Sequence, residues 1–227
     1  MKVQLLRLFT FITVLTVLSC NRDRFLTAAY YDRAPAHQTL AILPSQTITT
    51  GRIPAEWTPD MLASIEESES RAFQIAVFDE VTQAAGVWDG DISVNIQHFS
   101  ETNQLLADAG IDIRDSWDRA PSELAAILGV DAVVRTTVQK DVYLTELESL
   151  GISIANTVVS LLGGDLPFFN NRTSDVFLSA AILDGRDGVV LWNTDRVVQT
   201  DWNNRHSEIV RRLARMMARR FPYRIDR

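Results

Sequence analysis

The chain lacks several features that would point to a particular chemistry. Its 227 residues include one cysteine and three histidines, which excludes an internal disulfide framework and a cysteine-based zinc site. No apolar run reaches the roughly 20 residues that a membrane-spanning helix needs, so a polytopic membrane protein is excluded. The sequence contains no Gly-x-Ser-x-Gly elbow, glycine-rich phosphate loop or dinucleotide fingerprint. We therefore predict a non-enzymatic globular protein and expect no cofactor and no metal.

The charge of the chain is acidic overall and unevenly distributed. The formal net charge is −7, which argues against nucleic acid as a partner because phosphate-binding surfaces need clustered positive charge. Residues 205–227 are the exception, with eight arginines against Glu208 and Asp226. The sequence therefore predicts a polarised molecule with a basic C-terminal end.

The histidines and acidic clusters do not form a ligand pattern. His37, His98 and His206 lie far apart, so no two of them share the spacing of a helical zinc pair. The carboxylates at 112–118 and 184–187 lack the spaced ligands and closing glutamate of a twelve-residue calcium loop. Aspartate and glycine commonly form turns, and we interpret both clusters in that way.

The first nineteen residues are typical of an export signal. Lys2 and Arg7 are followed by an uncharged run of eleven residues, 8–18, which is too short to span a bilayer and fits a cleaved segment. The run ends in Val17-Leu18-Ser19-Cys20, which resembles the bacterial lipobox. The resemblance implies that a diacylglycerol is attached to Cys20, that the chain is cleaved before it, and that the new N-terminus receives an acyl chain such as palmitate.

The residue after the cysteine bears on location. Asn21 stands where an aspartate would favour retention at the inner membrane, so we predict an outer-membrane lipoprotein facing the periplasm, with the cell surface as the alternative. Residues 20–38 show little periodicity and are predicted to be a tether that lets the folded part stand off from the membrane.

Hydrophobic patterning predicts one α/β domain over residues 39–227. Thr58 and Pro59 suit the start of a helix that runs to about Ala85, with Glu66, Glu67 and Glu69 towards solvent. The remaining predicted elements are strands over 39–48, 92–98 and 130–138, helices beginning at Ser100 and Pro121, a hairpin over 176–198, and a helix over 204–221. An insert at about 141–172 interrupts this order.

The order of four short motifs resembles the N-terminal domain of TolB and its relatives among envelope lipoproteins, including CsgG and LpoB. The motifs are Leu40-Ala41-Ile42-Leu43-Pro44, the stretch 101–110, Leu128-Gly129-Val130-Asp131 leading into a strand, and Ala181–Asp184 with Leu191-Trp192. The resemblance implies a TolB-N-like α/β domain with a mixed sheet, flanking helices and a C-terminal helix. It also implies an envelope setting, but it does not imply a catalytic site, because those relatives are binding and assembly proteins.

The insert contains an uncharged stretch of sixteen residues, Ser149–Gly164. Its apolar side chains recur at helical spacing and two phenylalanines follow, giving a candidate contact set of Leu150, Ile154, Val158, Leu161, Phe168 and Phe169. A helix that covers the core is one reading. An exposed patch for a partner or for self-association is another, and a membrane pore of the CsgG kind is a third.

The C-terminal helix carries a second candidate surface. Arg211, Arg215 and Arg219 can form a solvated face near a helix C-terminus, which favours cations, or they can dock onto an acidic partner or anionic headgroups. We therefore predict a non-catalytic, lipid-anchored periplasmic protein that binds or helps to assemble an envelope component. The alternative is an oligomeric subunit of an export or pore-forming assembly, and a homo-oligomer is possible in either case.

Overall fold

A computed structural model of the protein describes residues 25–53, 57–87, 92–143, 172–201 and 206–224. The predicted signal peptide, Cys20 and most of the predicted insert lie outside these ranges. The described strands are β1 (Phe25–Leu26), β2 (Thr39–Ile42), β3 (Gln46–Gly51), β4 (Asn95–Gln97), β5 (Ala132–Val142), β6 (Arg172–Asp184) and β7 (Val190–Asp201). The described helices are α1 (Ala28–Arg33), α2 (Pro59–Val87), α3 (Phe99–Asp108), α4 (Ile113–Asp118), α5 (Pro121–Leu128) and α6 (His206–Ala218), with a 3₁₀ turn at Ala34–Ala36.

The described strands form one mixed sheet in the order β1-β7-β6-β5-β2-β4, and β3 also pairs with β5. The pairs β2–β4, β2–β5 and β3–β5 are parallel, whereas β5–β6, β6–β7 and β1–β7 are antiparallel. The prediction of an α/β fold with a mixed sheet, flanking helices and a C-terminal helix is confirmed.

The first predicted strand is two strands separated by a proline. β2 pairs with residues 132–134 of β5, and β3 resumes the pairing at Gln46 opposite Thr137. Pro44 lies between them and has no N–H to donate to the ladder. The buried hydroxyls of Ser45 and Thr136 lie 2.6 Å apart and bridge the interruption. One long strand therefore serves as a continuous template for two short ones.

Two hydrophobic clusters pack on opposite faces of the sheet. Alternation along β5 divides its side chains between them, with Ala132 and Val134 in the larger cluster and Val133 in the smaller. The larger cluster is covered by α2, α6 and the N-terminal segment, and it contains Phe73, Val77, Leu213, Met217 and the fully buried Trp192. The smaller cluster is covered by α3 and α5. Each fully buried side chain of this kind contributes about 1.5–3 kcal/mol.

Several helix ends follow from the sequence, and one differs from the prediction. The Thr58 hydroxyl accepts a hydrogen bond from the Met61 N–H at 3.2 Å, as expected of a cap before Pro59. Gly129 ends α5 in the left-handed conformation, at φ 67°. The prediction that Ser100 caps α3 is wrong, because the cap is His98, whose Nδ1 accepts from the Ser100 N–H.

The predicted insert is shorter at both ends than expected. Asp141 and Val142 continue β5, where they pair with Asp175 and Ser174, and Arg172 already belongs to β6. The register of the β5–β6 pair runs without interruption as far as Val142 and Ser174. Residues 144–171 lie outside the described residues.

Candidate functional site

The segment that follows the predicted lipid site is bound to the sheet from Phe25 onwards. Phe25 and Leu26 pair with Asn193 and Trp192 of β7. The Thr27 N–H then donates to the Leu191 carbonyl at 3.0 Å. The tether predicted over residues 20–38 is therefore wrong for residues 25–38, because their backbone groups find partners along the edge of the sheet and several of their side chains pack in the core.

Aromatic contacts join this segment to the last described residues. The Tyr30 hydroxyl donates to the Pro222 carbonyl at 2.7 Å, and its ring meets that of Tyr223 edge to face at 5.6 Å. Tyr223 is 2% exposed and lies in the larger hydrophobic cluster. The N-terminal segment is thus part of the core and not an appendage to it.

An arginine at the end of α1 holds the β6–β7 loop. Arg33 donates to Asp187 at 2.7 Å and lies 3.3 Å from Asp184. The hydrogen bond from Arg33 holds the pKa of the Asp187 carboxyl below its usual range, and the Val189 N–H adds to this effect. The Asp187 pair is partly exposed, whereas the Asp184 side chain is fully buried.

His37 is the centre of the contact between the segment and the loop. Its Nδ1 lies 2.7 Å from the Tyr223 hydroxyl, and its Nε2 lies 3.7 Å from Asp184 Oδ2. The donor and acceptor roles of Nδ1 and the Tyr223 hydroxyl depend on the tautomer, and the separation of Nε2 from Asp184 is too long for a hydrogen bond. Burial lowers the pKa of His37, while the charge of Asp184 opposes that shift.

The order tyrosine, histidine, aspartate superficially matches a nucleophile, a base and an orienting acid. Burial raises the pKa of the Tyr223 hydroxyl, which opposes formation of the phenolate that a nucleophile needs. His37 is also only 6% exposed and Asp184 is fully buried, which leaves no access for a substrate. The arrangement fastens two parts of the chain together.

Asp131 completes the same cluster from the turn between α5 and β5. Its Oδ2 accepts the N–H groups of Gln38 and Thr39 at 2.7 and 3.0 Å. Burial alone would raise the pKa of Asp131, but these two hydrogen bonds hold it below its usual value. The Gly185 N–H also donates to the Asp131 carbonyl at 2.7 Å. We refer to Arg33, His37, Asp131, Asp184, Asp187 and Tyr223 as the N-terminal clamp.

The candidate contact residues fall into two groups. Leu150, Ile154, Val158, Leu161, Phe168 and Phe169 lie outside the described residues, as does Cys20. Arg211 is exposed in the middle of α6, and Arg219 is exposed just beyond the end of that helix. Arg215 lies between them in sequence, but it donates to both carboxylate oxygens of Glu80 on α2 at 3.1 and 3.2 Å.

Sequence reasoning missed the clamp. Asp184 and Asp187 were recognisable only as turn residues, and His37 stood in a stretch without periodicity. One feature of the sequence could have indicated the clamp. Tyr30, Arg33 and His37 occur together in the predicted tether, and a tether does not need large aromatic and hydrogen-bonding side chains.

Two further findings concern the described residues alone. Within them, no three histidine, cysteine, aspartate or glutamate side chains converge as metal ligands. Of the helices that the structure describes, none has a stretch both long enough and apolar enough to cross a bilayer, including α2 with its 29 residues.

The sequence matches no protein-family model and no curated protein. Among solved structures, the chain is similar to lipoprotein GNA1162 from Neisseria meningitidis, with 16% identity and a TM-score of 0.44, over 80% of this chain and 96% of that one. It is similar to the LpoB C-terminal domain from Escherichia coli, with 12% identity and a TM-score of 0.35, over 76% and 93%. It is also similar to PelC from Paraburkholderia phytofirmans, solved as a dodecamer, with 12% identity and a TM-score of 0.39, over 80% and 87%. The fold assignment rests on the strand order and register described above.

Proposed function

We propose that this protein is a non-catalytic, lipid-anchored component of the bacterial envelope that binds or helps to assemble another envelope component. The observation that supports the proposal is the lipobox-like Val17-Leu18-Ser19-Cys20, placed five residues before a segment that is fastened to the core. The anchor is at the outer membrane and the body faces the periplasm.

Mass spectrometry of the mature protein tests the anchor. We expect a chain that begins at Cys20 and carries one diacylglycerol and one further acyl chain, as the lipobox resemblance implies, and two or more chains give stable anchoring. Cys20→Ser should leave the protein in the soluble fraction. An unmodified Cys20 thiol or a retained leader would contradict the proposal.

The partner is expected to contact two surfaces. The first is the apolar set Leu150, Ile154, Val158, Leu161, Phe168 and Phe169, and the second is the arginine face of Arg211, Arg215 and Arg219. Photo-crosslinkers at 154 and 211 should capture the same envelope protein, whereas the exposed Ala107 on α3 serves as the matched control position. Crosslinks that stay within the chain would assign the insert to the core.

The second candidate function is a subunit of an outer-membrane export or pore-forming assembly. The uncharged stretch Ser149–Gly164 favours it, since such a segment can be buried between copies of the chain. Sizing of the lipidated protein in mild detergent separates the two candidates. A ring of many copies supports the assembly subunit, and a monomer or small oligomer supports the binding protein.

A further inference from the structure

The connection between the predicted lipid and the folded body is very short. Four residues, 21–24, separate Cys20 from Phe25. At about 3.3–3.6 Å per residue, five fully extended steps span at most about 18 Å between the two Cα atoms. This limit holds for any conformation of the connecting residues.

The body cannot move away from the membrane by releasing more chain. Thr27 is held by the Leu191 carbonyl, Arg33 by Asp187, and His37 is buried against Tyr223. Each of these contacts would have to break before residues 25–37 could lengthen the connection. The edge of the sheet at β1 is therefore the part of the body nearest to a lipid on Cys20.

The same edge carries the most exposed large apolar side chains among the residues that the structure describes. Tyr31 is 66% exposed and Phe25 is 57% exposed. Val189 and Val190 are also exposed, and they lie just before Leu191, to which Thr27 is hydrogen-bonded. Aromatic side chains, tyrosine in particular, are favoured at the level of the lipid headgroups, where one end is apolar and the other wet.

Charge in the connection agrees with this placement. Residues 21–24 contain Arg22 and Arg24 against Asp23, a net positive charge beside a lipid surface. Basic residues next to a lipid anchor are attracted to anionic headgroups. The far side of the sheet ends at β4, five strand spacings of about 4.8 Å from β1, so α3 lies well away from this edge.

We infer that the β1–α1 edge, through Phe25 and Tyr31, rests on the bilayer interface and holds the body in one orientation, with α3 pointing away from the lipid. The inference rests on the proposed lipid anchor at Cys20. It identifies the lipid surface as a second binding partner, in addition to any protein.

The test measures the distance of two positions from the bilayer. p-Azidophenylalanine in place of Tyr31 or of Ala107 allows a fluorophore to be attached without using a cysteine. The lipidated protein is placed in phosphatidylethanolamine–phosphatidylglycerol vesicles that contain headgroup spin-labelled lipid. We expect quenching at 31 to be at least threefold stronger than at 107, and equal quenching would overturn the inference.

A variant with a longer connection distinguishes the contribution of the aromatic side chains from that of the short connection to the lipid. Twenty Gly/Ser residues inserted between Arg24 and Phe25 allow the body to stand off by about 28 Å. For a label on the exposed Ala28 of α1, which leaves Phe25 and Tyr31 in place, we expect the quenching difference from 107 to persist in this variant. It should be lost when Phe25→Ser and Tyr31→Ser are added. Loss on lengthening alone would overturn the role of the aromatic side chains.

A missing lipid on Cys20 and a missing contact between the β1–α1 edge and the bilayer give different results. If the mass spectrum shows no lipid, the anchor is wrong, and the mature chain can be coupled through its Cys20 thiol to a maleimide lipid in the same vesicles. Stronger quenching at 31 than at 107 in that preparation still supports the interface, and equal quenching contradicts it.

Discussion

The Nδ1 atom of His37 lies 2.7 Å from the hydroxyl of Tyr223, a residue 186 positions further along the chain. His37 comes from the segment after the predicted lipid site, and Tyr223 is among the last described residues. Both are buried, so the contact is made inside the core. This pair makes the stability of the whole domain depend on the packing of its N-terminal segment.

Stability should fall as the pH drops below about 6.5, the usual pKa of histidine. Burial lowers the pKa of His37 in the folded state, so the unfolded chain binds more protons in this range and stability increases with pH. Urea unfolding at pH 7.5, 6.5 and 5.5 measures the slope. His37→Gln should flatten it, and an unchanged slope would show that His37 does not control it. Asp131, whose pKa is lowered, contributes only as the pH falls towards about 4.

The two carboxylates of the β6–β7 loop should differ in their importance. Asp184 is fully buried, accepts the Arg186 N–H at 2.8 Å and faces Arg33 and His37. Asp184→Asn should destabilise the fold by about 1–3 kcal/mol, because a buried charge-assisted network loses its anion. Asp187→Asn, in the exposed pair with Arg33, should cost much less stability, because solvent screens an exposed ion pair. Equal losses in urea denaturation would contradict this ranking.

Two glycines provide a test of close packing at the clamp. A Cβ on Gly185 would lie 2.7 Å from the Asp131 carbonyl oxygen and 2.8 Å from the Ala125 Cβ. Gly185→Ala should therefore cost about 1–3 kcal/mol, because the backbone must shift. Gly110→Ala is the control, since its φ of 71° is unfavourable for alanine but no atom lies within 4 Å. Thermal unfolding should show a smaller loss for Gly110→Ala, about 1 kcal/mol.

The arginine face can be divided by function. Arg215 pairs with Glu80, and the carboxylate is mostly buried, so Arg215→Ala should lower the free energy of unfolding slightly. Arg211 and Arg219 are exposed, and Arg211→Glu with Arg219→Glu should leave unfolding within about 0.5 kcal/mol of the wild type. Loss of crosslinking to the envelope partner in that stable double variant would assign the face to binding. Retained crosslinking would assign it to solvation.

Local signals predicted the elements that depend on local chemistry. Thr58 followed by Pro59 marked the start of α2, Pro121 marked the start of α5, and the hairpin predicted over 176–198 corresponds to β6 and β7. Each of these features is decided within a few residues, because caps and turns use backbone groups that are adjacent in sequence.

The remaining features depend on residues that are distant in sequence. Glu66 was predicted to face solvent, but it is buried and accepts the Thr49 N–H at 2.9 Å and a hydrogen bond from Arg114 at 2.8 Å. The apolar stripe of α2 indicates which face packs on the sheet, but not that the end of β3 lies beside the helix. The clamp was missed for the same reason, since Arg33 and Asp187 are 154 positions apart.

The hydrogen bonds of Tyr30 and His37 to Pro222 and Tyr223 also set an order of events during biosynthesis. Pro222 and Tyr223, the partners of Tyr30 and His37, are translated 192 and 186 residues later. β1 and α1 therefore cannot reach their final packing until Tyr223 has left the ribosome or the export channel. In a nascent chain arrested before that point, residues 25–37 would remain accessible to proteases. Release of Pro222 and Tyr223 would allow the segment to pack and would protect it.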